Sequence, residues 1–422
     1  MSNNLASNTT RPLARVFLEA FDTTRVITKA VNTQLLTGRF NDSNGTVVDF
    51  KRPHDYNTIR TAGGNISAST KSFILAGKAS GTVQPYFTVA TEWGNIQEAL
   101  ELDQLDEIIA PMAKRIVTDV EVDFARFMQR NSSLRYGTHG TAVDAWSDVA
   151  GAGALMDSIG IPQSDEKYYL MNPFTTAALA SAQSNLSATD AMVRTAWEQA
   201  QISRQFGGVT ALTATALGTF TSSTGADRAG TLTAAPNATY VAAKDTMQQT
   251  LAVTAFQANM VVRAGELVTI AGVNRINVST RQPMLDAAGA AVPWTGVVVA
   301  DVTLGASGEG NLVVAGPAIF EANGQYNTVT AAPGSGAVIT IVSASATTYQ
   351  PNLFFTKQAF GIGSVKLPKL FSTDTIATTS DGMSIRVSKY ADGDANTQKV
   401  RFDFLPAYAV FNPFFAGQGF GL

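Results

Sequence analysis

The sequence predicts an α+β protein into which an all-β, barrel-like domain has been inserted. The first observation behind this prediction is a fall in charge: 12 of the 142 residues at 209–350 are charged, against 51 of the other 280. The second is a series of short β-branched runs in the same stretch, and the third is a long amphipathic helix outside it. So sharp a change in composition indicates a separate module within another fold.

The module itself shows the pattern of short strands. β-Branched runs recur at close spacing, and Gly, Pro and Asn residues separate them. A tight turn between strands is predicted at residues 263–266, between Val261-Val262 and Leu267-Val268. Short strands at this spacing are typical of a β-sandwich or barrel. The runs are 251–254, 267–270, 296–302, 311–315 and 337–342.

Helices are predicted in the flanking parts of the chain. Residues 110–130 repeat apolar side chains every three or four positions, which indicates a helix with one buried face. Pro111 fits the first turn of such a helix, where the missing N–H is not needed. A second helix is predicted from Ser147, as its N-cap, to Ile159, and a third over residues 190–201.

Two predicted strands, 46–51 and 82–91, are separated by about 30 residues rich in Gly, Ser and Thr. A connection of that length is usually functional or disordered. Near the C-terminus, residues 383–390 and 399–404 alternate apolar and polar side chains, which predicts a hairpin. Its polar turn resembles a calcium-binding loop in spacing, but Thr397 occupies the position that requires Gly, so an ordinary turn is favoured.

Composition excludes several functional classes. The net charge of −3 gives no basic excess for binding nucleic acid. The chain has no Cys and two His, His54 and His139, which are too few for a zinc site and are expected to be solvated or structural. No phosphate-binding loop or nucleophile-elbow motif occurs, so an enzyme is the weakest candidate, and no cofactor or metal is expected. No secretory signal or apolar run long enough for a membrane helix is present.

Several stretches, in order along the chain, resemble the coat proteins of tailed double-stranded-DNA phages. The closest resemblance is to the short-tailed Lederbergvirus group, whose coat proteins have the Hong Kong 97 fold with an insertion domain. It covers about residues 1–210 and 350–422, whereas the inserted module matches in position and β-character. The stretches are 50–54 (FKRPH), 115–119 (RIVTD), 193–198 (VRTAWE), 351–355 (PNLFF), 367–370 (LPKL), 384–387 (SIRV) and 390–396 (YADGDAN).

The resemblance implies a division of the chain into named regions, which the sequence alone does not mark. They are an N-terminal arm (1–38), an extended loop that overlaps a neighbouring subunit (39–92), a peripheral domain with a spine helix (93–138), an axial domain (139–212), the inserted β-barrel domain (213–350) and a return through axial and peripheral strands (351–422). The expected contacts between subunits involve charged residues of the arm, the loop and the inserted domain. These candidates are Arg11, Arg15, Arg60, Lys71, Lys78, Lys244 and Asp245.

Because several separate stretches match in the same order along the chain, the resemblance implies a structural function. It implies self-assembly as hexamers and pentamers into a T=7-type icosahedral procapsid that later expands. The implied partners are other copies of the chain, a scaffolding protein, a portal protein and enclosed double-stranded DNA bound without sequence specificity, with no membrane. A phage tail-tube protein and an adhesive surface module are the alternatives that share the β-rich, charge-poor composition.

Overall fold

The structure is a computed structural model that describes residues 6–36, 45–94, 105–184, 199–200, 202–372 and 374–420. The chain divides into two compact units. Unit 1 comprises Met1–Asp49, Ser80–Ala125 and Phe360–Val410, and unit 2 comprises Phe50–Ala79, Arg126–Ala359 and Phe411–Leu422.

Helices are few and strands are many, so the predicted α+β class is confirmed. The described helices are α1 (Ala6–Thr24), α2 (Leu105–Arg130), α3 (Trp146–Ser158), α4 (Pro173–Ser184) and α5 (Tyr240–Ala243), with short 3-10 turns at Gln34–Leu36 and Pro413–Phe415. The strands are β1 (Val47–Lys51), β2 (Lys78–Val83), β3 (Phe87–Gly94), β4 (Leu134–Tyr136), β5 (Lys167–Met171), β6 (Gln205–Phe206), β7 (Val209–Thr213), β8 (Phe220–Thr221), β9 (Ala229–Leu232), β10 (Gln248–Thr254), β11 (Val261–Val262), β12 (Leu267–Asn274), β13 (Pro293–Val298), β14 (Val302–Thr303), β15 (Gly310–Ala315), β16 (Val338–Ile341), β17 (Thr348–Tyr349), β18 (Asn352–Thr356), β19 (Phe360–Ser364), β20 (Thr375–Thr378), β21 (Ser384–Asp392), β22 (Thr397–Phe404), β23 (Pro406–Val410) and β24 (Ala416–Gly419).

Unit 1 is built on an antiparallel sheet of order β20-β21-β22-β3, covered by α1. Phe17 of α1 stacks on Phe402 of β22 with ring centroids 4.2 Å apart, and Phe21 packs against Phe404 at 5.7 Å. Residues 402 and 404 share one face of the strand because successive side chains alternate. The predicted C-terminal hairpin is confirmed as β21 and β22. A second sheet has the order β1-β2-β23-β19.

Unit 2 contains a mixed sheet of order β4-β24-β18-β5-β7-β6, against which α3 and α4 pack. Its central strands β5 and β18 are buried along their whole length. Strands covered on both faces are expected to be apolar throughout rather than alternating, and the sequences KYYLM and NLFFT are mostly so.

The second feature of unit 2 is a closed six-stranded barrel of order β10-β15-β13-β12-β16-β9. Every neighbouring pair is antiparallel, and β9 pairs with β10 to complete the ring. Closure leaves no free sheet edge. Trp294 lies fully buried among the barrel's side chains and donates its indole N–H to the Gly316 carbonyl at 3.0 Å. The prediction of a barrel-like module is therefore confirmed.

Three sequence predictions differ from the structure in detail. Helix α2 begins at Leu105 and includes Pro111 in its interior, where the ring removes a backbone bond. One lost bond does not end a 26-residue helix whose inner face is buried. The predicted strand 82–91 is two strands, β2 and β3, because Pro85 lies between them and cannot donate to a ladder. Ala145, rather than Ser147, is the N-cap of α3.

The turn predicted at residues 263–266 is confirmed. Glu266 N–H donates to the Arg263 carbonyl at 3.2 Å, and Gly265 has the positive φ of 103° that such a turn requires. The third predicted helix, 190–201, falls almost entirely outside the described residues.

Candidate assembly surface

The longest connection within unit 2 runs from residue 52 to residue 77, between β1 and β2, and contains no helix or strand. We call it the loop arm. Most of its residues are exposed, including the whole stretch 61–68. A connection of this length whose residues are mostly exposed has surface left for another molecule, and idle loops of this size are uncommon.

Arg52 fixes the start of the loop arm. Its side chain is 7% exposed, and its Nε donates to the carbonyls of Lys78 and Lys244 at 2.9 and 3.0 Å. A further guanidinium N–H donates to the Phe411 carbonyl. Burial lowers the pKa of Arg52 to about 10, so the group is still a cation at neutral pH. Arg52 therefore joins the base of the loop arm to α5 and to the C-terminal segment.

The returning limb of the loop arm passes close to α5 at Gly77. A Cβ at this position would lie 2.7 Å from the Lys244 carbonyl oxygen and 2.8 Å from the Tyr240 hydroxyl. Contacts this short would push the Lys244 backbone or the Tyr240 side chain away, so only glycine fits at position 77 without moving its neighbours. The Tyr240 ring is itself held by stacking on Tyr326, with centroids 3.7 Å apart.

The structure brings some of the sequence-predicted contact residues together and separates others. At the base of the loop arm, the backbone carbonyls of Lys78 and Lys244 both accept from Arg52. Arg60 and Lys71 are exposed along the arm, where the Lys71 ammonium donates to the carbonyls of Ile66 and Ser67 at 3.0 and 3.3 Å.

The remaining candidates lie on helices or next to them. Arg15 is exposed on α1, and Arg11 lies on the same helix with its side chain outside the described part of the structure. Lys244 and Asp245, which follow α5, form an ion pair with each other at 3.0 Å. Within one chain each of these two charges is balanced by the other. A contact of the pair with a neighbouring subunit stays a prediction.

Sequence reasoning missed the apolar side of the loop arm. Tyr56, Ile66, Phe73 and Ile74 are 55%, 44%, 69% and 75% exposed. The available signal was the presence of large apolar residues in a stretch otherwise made of Gly, Ser, Thr and Asn. Groups of exposed apolar side chains mark interaction sites more often than singly scattered ones do.

The two histidines differ in environment. His54 is exposed. The ring of His139 lies 3.5 Å from that of Phe420 and edge-on to Tyr349, and burial lowers its pKa to about 3, so it is neutral at pH 7. Within the described residues there is no cluster of three or more His, Cys, Asp or Glu that could hold a metal ion. None of the described helices is long and apolar enough to cross a membrane.

Comparison with known proteins decides between the structural classes. The family model described as "P22 coat protein - gene protein 5" matches residues 3–421. The chain belongs to the P22 coat protein family. The major capsid protein of Acyrthosiphon pisum secondary endosymbiont phage 1 is 41% identical over 429 aligned residues, which cover the whole of both chains. The chain is therefore a phage major capsid protein, a structural component of the virion capsid, and the tail-tube and adhesive alternatives are not favoured.

Solved phage structures also align with most of the chain. The capsid of cyanophage P-SCSP1u is 12% identical, with 89% of this chain and 83% of that chain covered and a TM-score of 0.45. A Mycobacterium phage Che8 structure is 10% identical, with 93% and 90% covered and a TM-score of 0.47.

Proposed function

We propose that this coat-family chain assembles as hexamers and pentamers into a T=7-type icosahedral procapsid with the Hong Kong 97 type of subunit. The procapsid encloses double-stranded DNA without sequence-specific contacts and then expands. A scaffolding protein assists assembly in the host cytoplasm, a portal protein occupies one vertex, and the chain acts by association alone, without catalysis.

One observation carries this proposal. The loop arm exposes four large apolar side chains between residues 56 and 74. Leaving such a surface in water is unfavourable by roughly 25 cal/mol per Å², and burial against another subunit removes that cost. Permanent subunit interfaces are large and apolar, which suits a chain with 15% charged residues.

The proposal includes the regional map. The N-terminal arm would take residues 1–38, the extended loop 39–92, the peripheral domain 93–138, the axial domain 139–212, the insertion domain 213–350 and the returning strands 351–422. The closed barrel, from Ala229 to Ile341, supports the insertion-domain boundaries because all of its strands lie within them.

Contacts between subunits would use the loop arm and the charged candidates. Arg60, Lys71 and, on α1, Arg15 are exposed and would reach carboxylates of a neighbour. Lys71 would give up its bonds to the Ile66 and Ser67 carbonyls to do so. The ion pair of Lys244 with Asp245 would exchange partners across the interface. Such contacts are heterologous, because two different surfaces of the subunit meet. They build closed rings when the rotation from one copy to the next adds up to a full turn.

Sedimentation velocity of the purified full-length chain, with and without its cognate scaffolding protein, tests the proposal. We expect shell-sized or capsomer-sized species that increase with protein concentration and with scaffolding protein. A single monomer boundary under every condition would contradict it, and an open tube would give a broad distribution without a limiting size.

A further inference from the structure

The two limbs of the loop arm are bound to one small patch of unit 2. We call this patch the cradle; it consists of Arg281, Asn323, Gln325 and Tyr326. On the outgoing limb, the Asp55 N–H donates to the Tyr326 hydroxyl at 3.3 Å, and the Asp55 carboxylate pairs with Arg281. Two residues further on, the Asn57 side chain donates to the Asn323 carbonyl at 2.6 Å.

Gln325 holds the returning limb by two bonds to one peptide. The Phe73 N–H donates to Gln325 Oε1 at 3.1 Å, and Gln325 Nε2 donates to the Phe73 carbonyl at 2.6 Å. The glutamine amide therefore pairs with the Phe73 backbone much as a neighbouring strand would, donating and accepting at the same residue. Gln325 is 7% exposed, whereas Phe73 and the following Ile74 are 69% and 75% exposed.

This arrangement fixes a backbone while leaving its apolar side chains in water. The limbs are also joined to each other, because the Asn57 N–H donates to the Ser72 hydroxyl at 2.9 Å. Holding a residue's backbone in a single conformation costs conformational entropy. When that cost is met before association, it is not subtracted from the binding free energy.

The charge of the loop arm indicates what it contacts. The loop arm contains three cations, Arg52, Arg60 and Lys71, and one anion, Asp55, which is paired with Arg281. Since the whole chain has a net charge of −3 and the loop arm has +2, the rest of the chain has −5. The positive charge of the loop arm therefore complements the negative charge on the rest of another copy of the same chain.

We infer that Gln325 is a positioning residue for assembly: it preorganises the loop arm so that Phe73 and Ile74 dock on a second copy of the chain. The inference rests on the proposed function, because it specifies which residues prepare the contact between subunits. The cradle then has a function besides packing: it holds the backbone of the loop arm and leaves the arm's apolar side chains exposed.

Gln325→Ala tests the inference in the full-length chain. The matched control is Gln249→Ala, because Gln249 is also buried, at 5% exposure. Among the described residues its side chain bonds to Asn237 and Ala318, which lie outside the loop arm. We expect hydrogen exchange at the Phe73 amide of the unassembled chain to be faster in Gln325→Ala and unchanged in Gln249→Ala.

The concentration needed for assembly is the second measurement. We expect it to rise about tenfold in Gln325→Ala, equivalent to about 1.4 kcal/mol, and to change less than twofold in Gln249→Ala at a temperature where both are folded. Phe73→Ala should raise the threshold as well, and the double variant should cost less than the two single changes combined, because Gln325 acts through Phe73. Leu285→Ala, at a residue that is 60% exposed and not part of the loop arm, is the control for losing an exposed apolar side chain.

Two results would overturn the inference. One is faster exchange at Phe73 in Gln325→Ala with a wild-type assembly threshold, which would leave the proposed function standing. The other is a Gln249→Ala threshold raised as much as that of Gln325→Ala, which would indicate general destabilisation. Failure of the wild-type chain itself to assemble would instead contradict the proposed function.

Discussion

Asp403 on β22 faces Arg386 on β21, directly opposite in the ladder, and the two form a buried ion pair. Both Nε and a terminal guanidinium N–H of Arg386 donate to one carboxylate oxygen, at 3.1 and 2.6 Å. The other oxygen accepts from Thr88 and Arg401, each at 2.6 Å. This network links three strands of the unit 1 sheet, and every oxygen of the buried carboxylate has a partner.

Replacing Asp403 by Asn should destabilise the subunit by about 3–5 kcal/mol, because it leaves the buried Arg386 without its counter-charge. The measurement is urea unfolding of the unassembled chain. Asp119→Asn is the matched control, since Asp119 pairs with Arg115 on the surface of α2 and should cost at most about 0.5 kcal/mol. Equal effects of the two changes would contradict the ranking by burial.

The same pair predicts a dependence of stability on pH. Burial raises the pKa of Asp403, but hydrogen bonds from Thr88, Arg386 and Arg401 outweigh it and the pKa lies below its ordinary value. A carboxyl whose folded pKa is lowered stabilises the fold fully above the unfolded pKa near 4, and that contribution is lost as pH falls through the folded pKa. We expect the free-energy gap between wild type and Asp403→Asn to be constant from about pH 7 to 5 and to shrink below about pH 4. A gap independent of pH would be the contrary result.

Glu121 of α2 anchors the segment that follows α1. Its buried carboxylate accepts from the Ile27 N–H at 2.7 Å and from the Thr28 N–H and hydroxyl at 3.0 and 2.7 Å. Glu121→Ala should lower the free energy of unfolding by about 3 kcal/mol, because unsatisfied buried donors cost about 1–3 kcal/mol each. Hydrogen exchange at residues 27 and 28 should accelerate. Glu121→Gln keeps the shape of the side chain and one acceptor oxygen, so it should lower the free energy of unfolding by less. A larger loss for Gln than for Ala would contradict the anchoring role of Glu121.

The barrel should fold as an independent fragment comprising residues 213–350. Its buried Glu266 accepts from Arg228 at 2.6 Å and from Ser223 and Ser343 at 2.9 Å each, and all three partners lie inside the fragment. Buried Arg275, by contrast, donates to the Ser133 carbonyl outside it at 3.0 Å. We expect a cooperative thermal transition in calorimetry, at a lower temperature than in the whole chain. Absence of any cooperative transition would refute the proposed boundaries.

The sequence predicted the parts of the fold that depend on local periodicity. Alternating side chains located β21 and β22, and the change in charge density located the inserted barrel. Pro111 was misleading because helix propensity favours proline in the first turn, whereas α2 starts earlier, at Leu105, and continues through it. Local patterns rank conformations of short segments, and packing between distant segments can outweigh them.

The candidate surface was less predictable. Charges on the long loop could be noticed in the sequence, but the pairing of Gln325 with the Phe73 backbone joins residues separated by 252 positions. No local pattern distinguishes Gln325 from the chain's other glutamines. The exposure of Phe73 and Ile74 likewise follows from where the loop arm is held, and only the folded structure shows it.

Negative-stain electron microscopy of the purified full-length chain, prepared with and without its cognate scaffolding protein, tests capsid assembly most directly. We expect closed shells of uniform diameter in the presence of scaffolding protein, together with shells or capsomer-sized rings at high concentration of the chain alone. Compact monomers under both conditions, with no shells at any concentration, would contradict it.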